Sequence, residues 1–187
     1  RARDMTFEEF KQIIDEQYGL VEIKLQGMGE PTMARDVLFD MIRYARSKHI
    51  WVRSVTNASL LHLNDNHRKI IDSGVNELQI SIDGADKATF ETIRRGSKFE
   101  MVVGNCKLVN GYCEEKKLLR TKMWTVVQKE NSHQLFELID LAHEMRFKSM
   151  VFSLNLTDWG QVDWRKKNDA VTVEGSFSTD MATQLLE

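Results

Sequence analysis

The sequence predicts an α/β fold built on a parallel sheet, and three observations point to it. Five short apolar stretches alternate with amphipathic, helix-like ones. Each intervening stretch is long enough to return the chain to the same end of the sheet, so consecutive strands run parallel. The strand-like stretches also have two unlike faces. Leu78, Ile80 and Ile82 alternate with Gln79, Ser81 and Asp83, and Phe152, Leu154 and Leu156 alternate with Ser153, Asn155 and Thr157. One face is suited to packing under helices and the other carries polar groups. A barrel or half-barrel with a ligand on its concave face fits that pattern better than a sheet covered on both sides.

The elements follow in order. Thr6-Phe7-Glu8-Glu9 has the form of a capping box, and Phe7, Phe10, Ile13 and Ile14 recur at helical spacing up to the stop at Gly19. A strand is predicted over Val21 to Gln26 and is broken by Gly27-Met28-Gly29-Glu30-Pro31, which holds the only proline. Val37, Leu38, Met41, Ile42 and Ala45 mark the next helix. Beyond it come a strand at Trp51 to Asn57, a helix ending near Gly74 and a strand at Glu77 to Asp83. A helix from about Lys98 to Lys116, a strand at Arg120 to Gln128, a helix at Ser132 to Met145 and a strand at Ser149 to Thr157 complete the series. Trp159 to Ser178 has no clear period and reads as loop, with a final helix from about Thr179.

The 187 residues are 42% apolar and 29% charged, the balance of a packed globular protein, and the core is assigned to residues 1–158 with an extension at 159–187. The formal charge of −2 provides no global basic field for nucleic acid. No apolar run reaches the ~18 residues of a membrane span, and the first residues lack a secretory pattern, so the cytosol is the expected compartment. Cys106 and Cys113 lie seven apart on one predicted helix face and read as two buried thiols. The five histidines are scattered without metal-ligand spacing and read as surface residues.

The most specific local feature is Gly27-Met28-Gly29-Glu30-Pro31 at a strand end. Two glycines permit close backbone approach to a ligand, and Pro31 stiffens the exit. Glu30 is left at the carboxyl edge of the sheet, where parallel α/β folds bind ligands and where a carboxylate suits an ammonium group. The plainer reading is a βα turn with a solvated glutamate.

Met28-Gly29-Glu30-Pro31 resembles the Gly-Gly-Glu-Pro motif of radical S-adenosylmethionine (SAM) enzymes, with Met28 in place of the first glycine. Further features are similar to that family in order and spacing. They are Thr56-Asn57-Ala58 where Thr-Asn-Gly is usual, the strand Glu77 to Gly84, Ile93-Arg94-Arg95-Gly96 followed by Phe99, Val103 and Asn105, and Gln128 to Asn131. The resemblance covers about Thr6 to Thr157 and implies a partial (β/α)6 TIM-like barrel whose first strand lies outside these residues. It implies that Gly27, Met28, Gly29, Glu30 and Pro31 receive the SAM amino group, with Thr56 and Asn57 at the next strand end. Ser81 and Asp83 would face the ribose, and Arg94 could take the SAM carboxylate in bidentate geometry, although Arg95 competes for that role.

The implied chemistry is reductive cleavage of SAM to methionine and a 5′-deoxyadenosyl radical, which abstracts hydrogen from a peptide or small-molecule substrate, with an external electron donor. The cofactors are SAM and a [4Fe–4S] cluster. The family holds that cluster on a Cys-x3-Cys-x2-Cys loop, and these residues contain no such loop. A SPASM-type subgroup is held open, as are a non-catalytic SAM-binding or interaction module and another α/β-barrel enzyme. In an aldolase-like enzyme Lys122 would be the candidate Schiff-base lysine.

Overall fold

The computed structural model describes residues 3–27, 29–154, 156, 161–173 and 183. It opens with α1 (Phe7–Glu16), whose Thr6 cap accepts from the Glu9 N–H while Glu9 reaches back to the Thr6 N–H, the reciprocal box expected from the sequence. The rest of the core alternates as β1 (Glu22–Leu25), α2 (Asp36–Ser47), β2 (Trp51–Thr56), α3 (Asn66–Asp72), β3 (Glu77–Ser81), α4 (Lys87–Ile93), α5 (Phe99–Glu115), β4 (Thr121–Val126), α6 (Leu135–Glu144) and β5 (Met150–Ser153). The five strands form one parallel sheet in sequence order. Sequential order with a helix in each crossover is the arrangement of a partial barrel, as expected.

The register assigns each side chain to a face. Leu25 lies beside Ser54, Thr56 beside Ile80, and Ile80 beside Met123, so these residues share the helix-covered side. Val52, Leu78, Ile80, Ile82 and Met123 are fully buried there. The hydroxyls of Ser54, Thr56, Thr121 and Thr125 enter this side of the sheet, and each is satisfied. Ser54 donates to the Leu25 carbonyl at 2.8 Å and Thr125 to the Ile82 carbonyl at 2.6 Å, which stitches neighbouring strands where an unpaired hydroxyl would be costly. Lys24, Arg53, Gln79, Ser81, Lys122 and Trp124 occupy the opposite, inner face.

Two helices depart from the sequence expectation. α4 was absent from it because seven residues with a single fully buried side chain, Phe90, leave little periodicity to read. Its start is fixed by Asp86, whose carboxylate accepts from the Thr89 N–H at 2.9 Å. α7 (Val162–Val171) lies where loop was expected, and it has no buried residue and hence no apolar stripe. It is tied back to the sheet by Lys129 N–H to the Val171 carbonyl (3.0 Å) and by an antiparallel bridge between Gln128 and Thr172. The helix expected from Thr179 falls largely outside the described residues.

Gly84 follows β3 at a point of close approach. A Cβ built there would lie 2.4 Å from the Phe90 nitrogen and 2.7 Å from its Cα, so the turn out of the sheet and the body of α4 touch backbone to backbone. Gly84→Ala is therefore expected to lower unfolding free energy by about 1–3 kcal/mol, an overpacking cost. Gly104→Ala, on an exposed α5 position with open space around it, should instead raise it by about 0.5–1 kcal/mol. Urea unfolding of both variants measures the contrast, and a neutral Gly84→Ala would contradict the backbone contact.

Candidate functional site

The carboxyl ends of the strands carry a row of polar side chains, beginning with Glu30. Leu25 ends β1, and the chain then passes through Gly27 and Gly29, where added Cβ atoms would meet nothing within 4 Å. Internal packing therefore does not demand glycine at either place, and the backbone there is open to close approach. Met28 lies outside the described residues. Pro31 opens a short 3₁₀ turn with Glu30 as its cap.

Glu30 is half-buried and held by four hydrogen bonds, only one of which falls on Oε2. Its Oε1 accepts from the Thr32 hydroxyl (2.7 Å), the Thr32 N–H (3.2 Å) and the Thr56 hydroxyl (2.6 Å), and its Oε2 accepts from the Asn57 N–H (2.7 Å). The solvated glutamate of the plainer reading is thus replaced by a carboxylate clamped between the first and second strand ends. Thr56 also accepts from the Ala58 N–H (3.0 Å), and Asn57 accepts from both the N–H and the hydroxyl of Ser59. Ala58 has a φ of +60°, which accounts physically for glycine being usual at that place. The Asn105 amide of α5 donates to the Ala58 carbonyl at 2.7 Å and holds the strained turn in place.

The third and fourth strand ends are joined in a similar way. Asp83 Oδ1 accepts from the Val126 N–H (2.8 Å), and Oδ2 pairs with Arg94 Nη2 at 2.5 Å. The Asp83 side chain is 5% exposed, so its charge is neutralised inside the protein and its oxygens serve the fold rather than standing free for ribose hydroxyls. Ser81 precedes it on the same face, half-buried beside Trp124, and its hydroxyl has no hydrogen-bond partner among the described residues. Arg94 is turned inward and Arg95 is exposed, which separates the two arginines. Arg94 retains a buried Nε with no acceptor among the described residues. A guanidinium with an unused donor fits a carboxylate ligand.

Two residues central to this edge are not among the candidate site residues, although Gln128 to Asn131 resembles a strand end of the family. Asn131 is fully buried and donates its amide to the Asp83 carbonyl (3.0 Å) and the Val126 carbonyl (2.9 Å) while accepting from the Gln128 N–H (2.7 Å). Gln134 accepts from the Ala85 N–H (3.1 Å) and donates to the Asp86 carboxylate. The only signal available in advance was amide residues just past a strand end.

Other candidates resolve simply. Lys122 is the second residue of β4, remote from the carboxyl edge, and its ammonium is paired with Glu77 at 2.7 Å, which removes it as a free Schiff-base lysine. Cys106 and Cys113 lie on the buried face of α5, and burial raises both thiols, Cys113 to about 11. His49, His62, His133 and His143 are exposed and His67 is half-buried. Among the described residues no group of three His, Cys, Asp or Glu could hold a metal ion, and no helix is long and apolar enough to cross a membrane.

The family model of the Radical SAM superfamily matches residues 1–142. Among curated proteins, the chain is 33% identical over 151 residues to a GTP 3',8-cyclase of Erythrobacter litoralis, covering 76% of this chain and 42% of that protein. It is 30% identical over 146 residues to the mycofactocin maturase of Mycolicibacterium smegmatis, covering 75% and 34%. An AdoMet-dependent heme synthase of Methanosarcina barkeri is 29% identical over 146 residues, covering 77% and 40%. The chain therefore spans less than half the length of these relatives. The solved structure of native anSMEcpe with bound AdoMet matches at a TM-score of 0.60 and 19% identity, over 87% of this chain and 46% of that one, a likeness of fold. These matches identify a superfamily and no SPASM-type subgroup.

The Asn131 bridge makes a testable demand. Asn131→Ala strands two carbonyls and one N–H in a buried setting and is expected to cost about 2–4 kcal/mol in urea unfolding. A loss under half a kcal/mol would show that the edge does not depend on this side chain.

Proposed function

The chain belongs to the radical SAM superfamily, and on that premise we propose that the carboxyl edge of its sheet holds SAM for radical cleavage, with Glu30, Ser81 and Arg94 as the principal contacts. The observation that carries this reading is the unused capacity gathered at one edge. An anionic carboxylate at Glu30, an unpartnered hydroxyl at Ser81 and an unpartnered guanidinium Nε at Arg94 match the ammonium, hydroxyl and carboxylate groups of SAM.

Each residue has a definite task in this proposal. Glu30 accepts from the SAM ammonium while Thr32, Thr56 and Asn57 fix its position, so the carboxylate is oriented before the ligand arrives. Gly27 and Gly29 leave room for the ligand beside the backbone, with Met28 and Pro31 completing the turn. Ser81 meets the sugar or carboxylate oxygens. Asp83 acts through Arg94, holding the guanidinium so that its remaining donors face the SAM carboxylate. Thr56 and Asn57 act through Glu30 in the same manner. With a [4Fe–4S] cluster and an external electron donor, bound SAM would supply 5′-deoxyadenosyl radical chemistry for hydrogen abstraction from a peptide or small-molecule substrate. Cys106 and Cys113 do not fit such a cluster, so its ligands are not supplied by these 187 residues.

Glu30→Gln separates this role from turn stability. The amide loses the charge on which an ammonium contact depends, so SAM affinity by calorimetry is expected to fall about tenfold. Because Gln cannot accept at both positions, the melt should also drop, by about 1 kcal/mol for one lost hydrogen bond. Thr56→Val loosens the same carboxylate without neutralising it and is expected to cost similar stability with a smaller loss of SAM affinity. Equal affinity losses in the two variants would return Glu30 to a purely structural role.

A further inference from the structure

Below the proposed SAM edge, the inner face of the sheet carries a second polar cluster. Lys24 of β1 lies beside Arg53 of β2, which lies beside Glu77 of β3, and Lys122 of β4 follows two residues further along, level with Gln79. The partners are unevenly shared. Glu77 receives Lys122 (2.7 Å), Gln79 (2.8 Å) and Arg53 Nε (2.9 Å), and Arg53 also reaches Glu22 at 3.4 Å. Arg53 stacks against Trp51, 5.1 Å from the ring centroid. Three cations therefore face two carboxylates, and the surplus charge falls on Lys24, which makes no ion pair among the described residues.

Lys24 is exposed at its rim, yet desolvation and then the neighbouring Arg53 lower its pKa, with Glu77 opposing them only weakly. An ammonium held next to a guanidinium with no anion of its own is unfavourable in the free protein. An incoming oxyanion relieves that repulsion. The Arg53 Nε sits near Glu77 but outside hydrogen-bond geometry, so its N–H is a buried donor left unsatisfied.

We infer that Lys24 and Arg53 form an oxyanion site on the inner face of the sheet, which receives a carboxylate or phosphate group of the substrate. Placing a substrate there rests on the reading that SAM occupies the carboxyl edge. Lys24 is three residues before Gly27 and Arg53 three before Thr56, which sets the anion about 10 Å below the SAM contacts at roughly 3.3 Å per strand residue. A substrate anchored at that depth would have to be long enough to bridge that separation to present a carbon to the edge. Trp124, half-buried beside Ser81, lies on the same face between the two levels.

The test uses inorganic phosphate and acetate as probes in low-salt buffer, followed by the Trp51 indole and Lys24 side-chain resonances in NMR titrations. Saturable shifts at both residues are expected with at least one probe. Phosphate preferred over acetate indicates a phosphorylated substrate, and a matched response indicates a carboxylate. Lys24→Met, at an exposed position, should keep the fold and weaken the responding probe roughly tenfold. Glu77→Gln frees Arg53 and Lys122 and should tighten it severalfold. No saturation at these resonances, or equal affinity in the Lys24→Met protein, overturns the inference. SAM calorimetry on the same samples keeps the readings apart: phosphate binding without SAM binding sinks the SAM assignment alone, and SAM binding without anion binding sinks this one alone.

Discussion

The carboxyl edge of a parallel sheet is a place where backbone N–H and C=O groups run out of ladder partners, and those groups must be paired or solvated. In this protein three side chains close the edge. Glu30 spans from the first strand's exit to the second strand end, Asp83 from the third to the fourth, and Asn131 from beyond the fourth back to the third. Each long-range bond joins segments 26 to 48 residues apart in sequence and fixes the relative height of two loops. The remaining geometry of the edge depends on this lacing, because the loops it holds carry the residues of the proposed site.

One consequence is that the same atoms serve fold and site. Glu30 is the carboxylate that the proposed site offers to an ammonium and also the acceptor that settles Thr32, Thr56 and Asn57. Asp83 neutralises Arg94 and aims it. A carboxylate already surrounded by donors is fixed in place, so it loses little freedom when a cation arrives. The inner face below differs. There the charges are imperfectly matched, and Lys24 has no counter-ion among the described residues, a mismatch that the inferred anion site would use.

Much of this was legible in the sequence and some was not, for physical reasons. The strand faces of Leu78 to Asp83, the capping box at Thr6 and the turn at Glu30 are local patterns, and each appears where expected. The polar ends of the strands were placed together correctly because parallel strands of similar length align their carboxyl ends. The Asp83–Arg94 pair was not foreseen: both residues were assigned to a ligand, and which charges satisfy each other depends on the path of α4. α4 itself and α7 were missed because one buries a single side chain fully and the other none, and periodicity reports burial. Asn131 and Gln134 act through side-chain-to-backbone bonds 48 and 49 residues away in sequence, which no local pattern records.

The relatives show the superfamily but differ among themselves in what they act on, so the edge and the inner face have to be tested on this chain. The most direct measurement is a crystal structure of the protein with SAM bound. The account predicts the ligand ammonium within hydrogen-bond distance of Glu30 and its carboxylate on Arg94, with the Asp83–Arg94 pair intact. SAM bound elsewhere on the chain, or bound at the edge with Glu30 still facing only Thr32, Thr56 and Asn57, would contradict it.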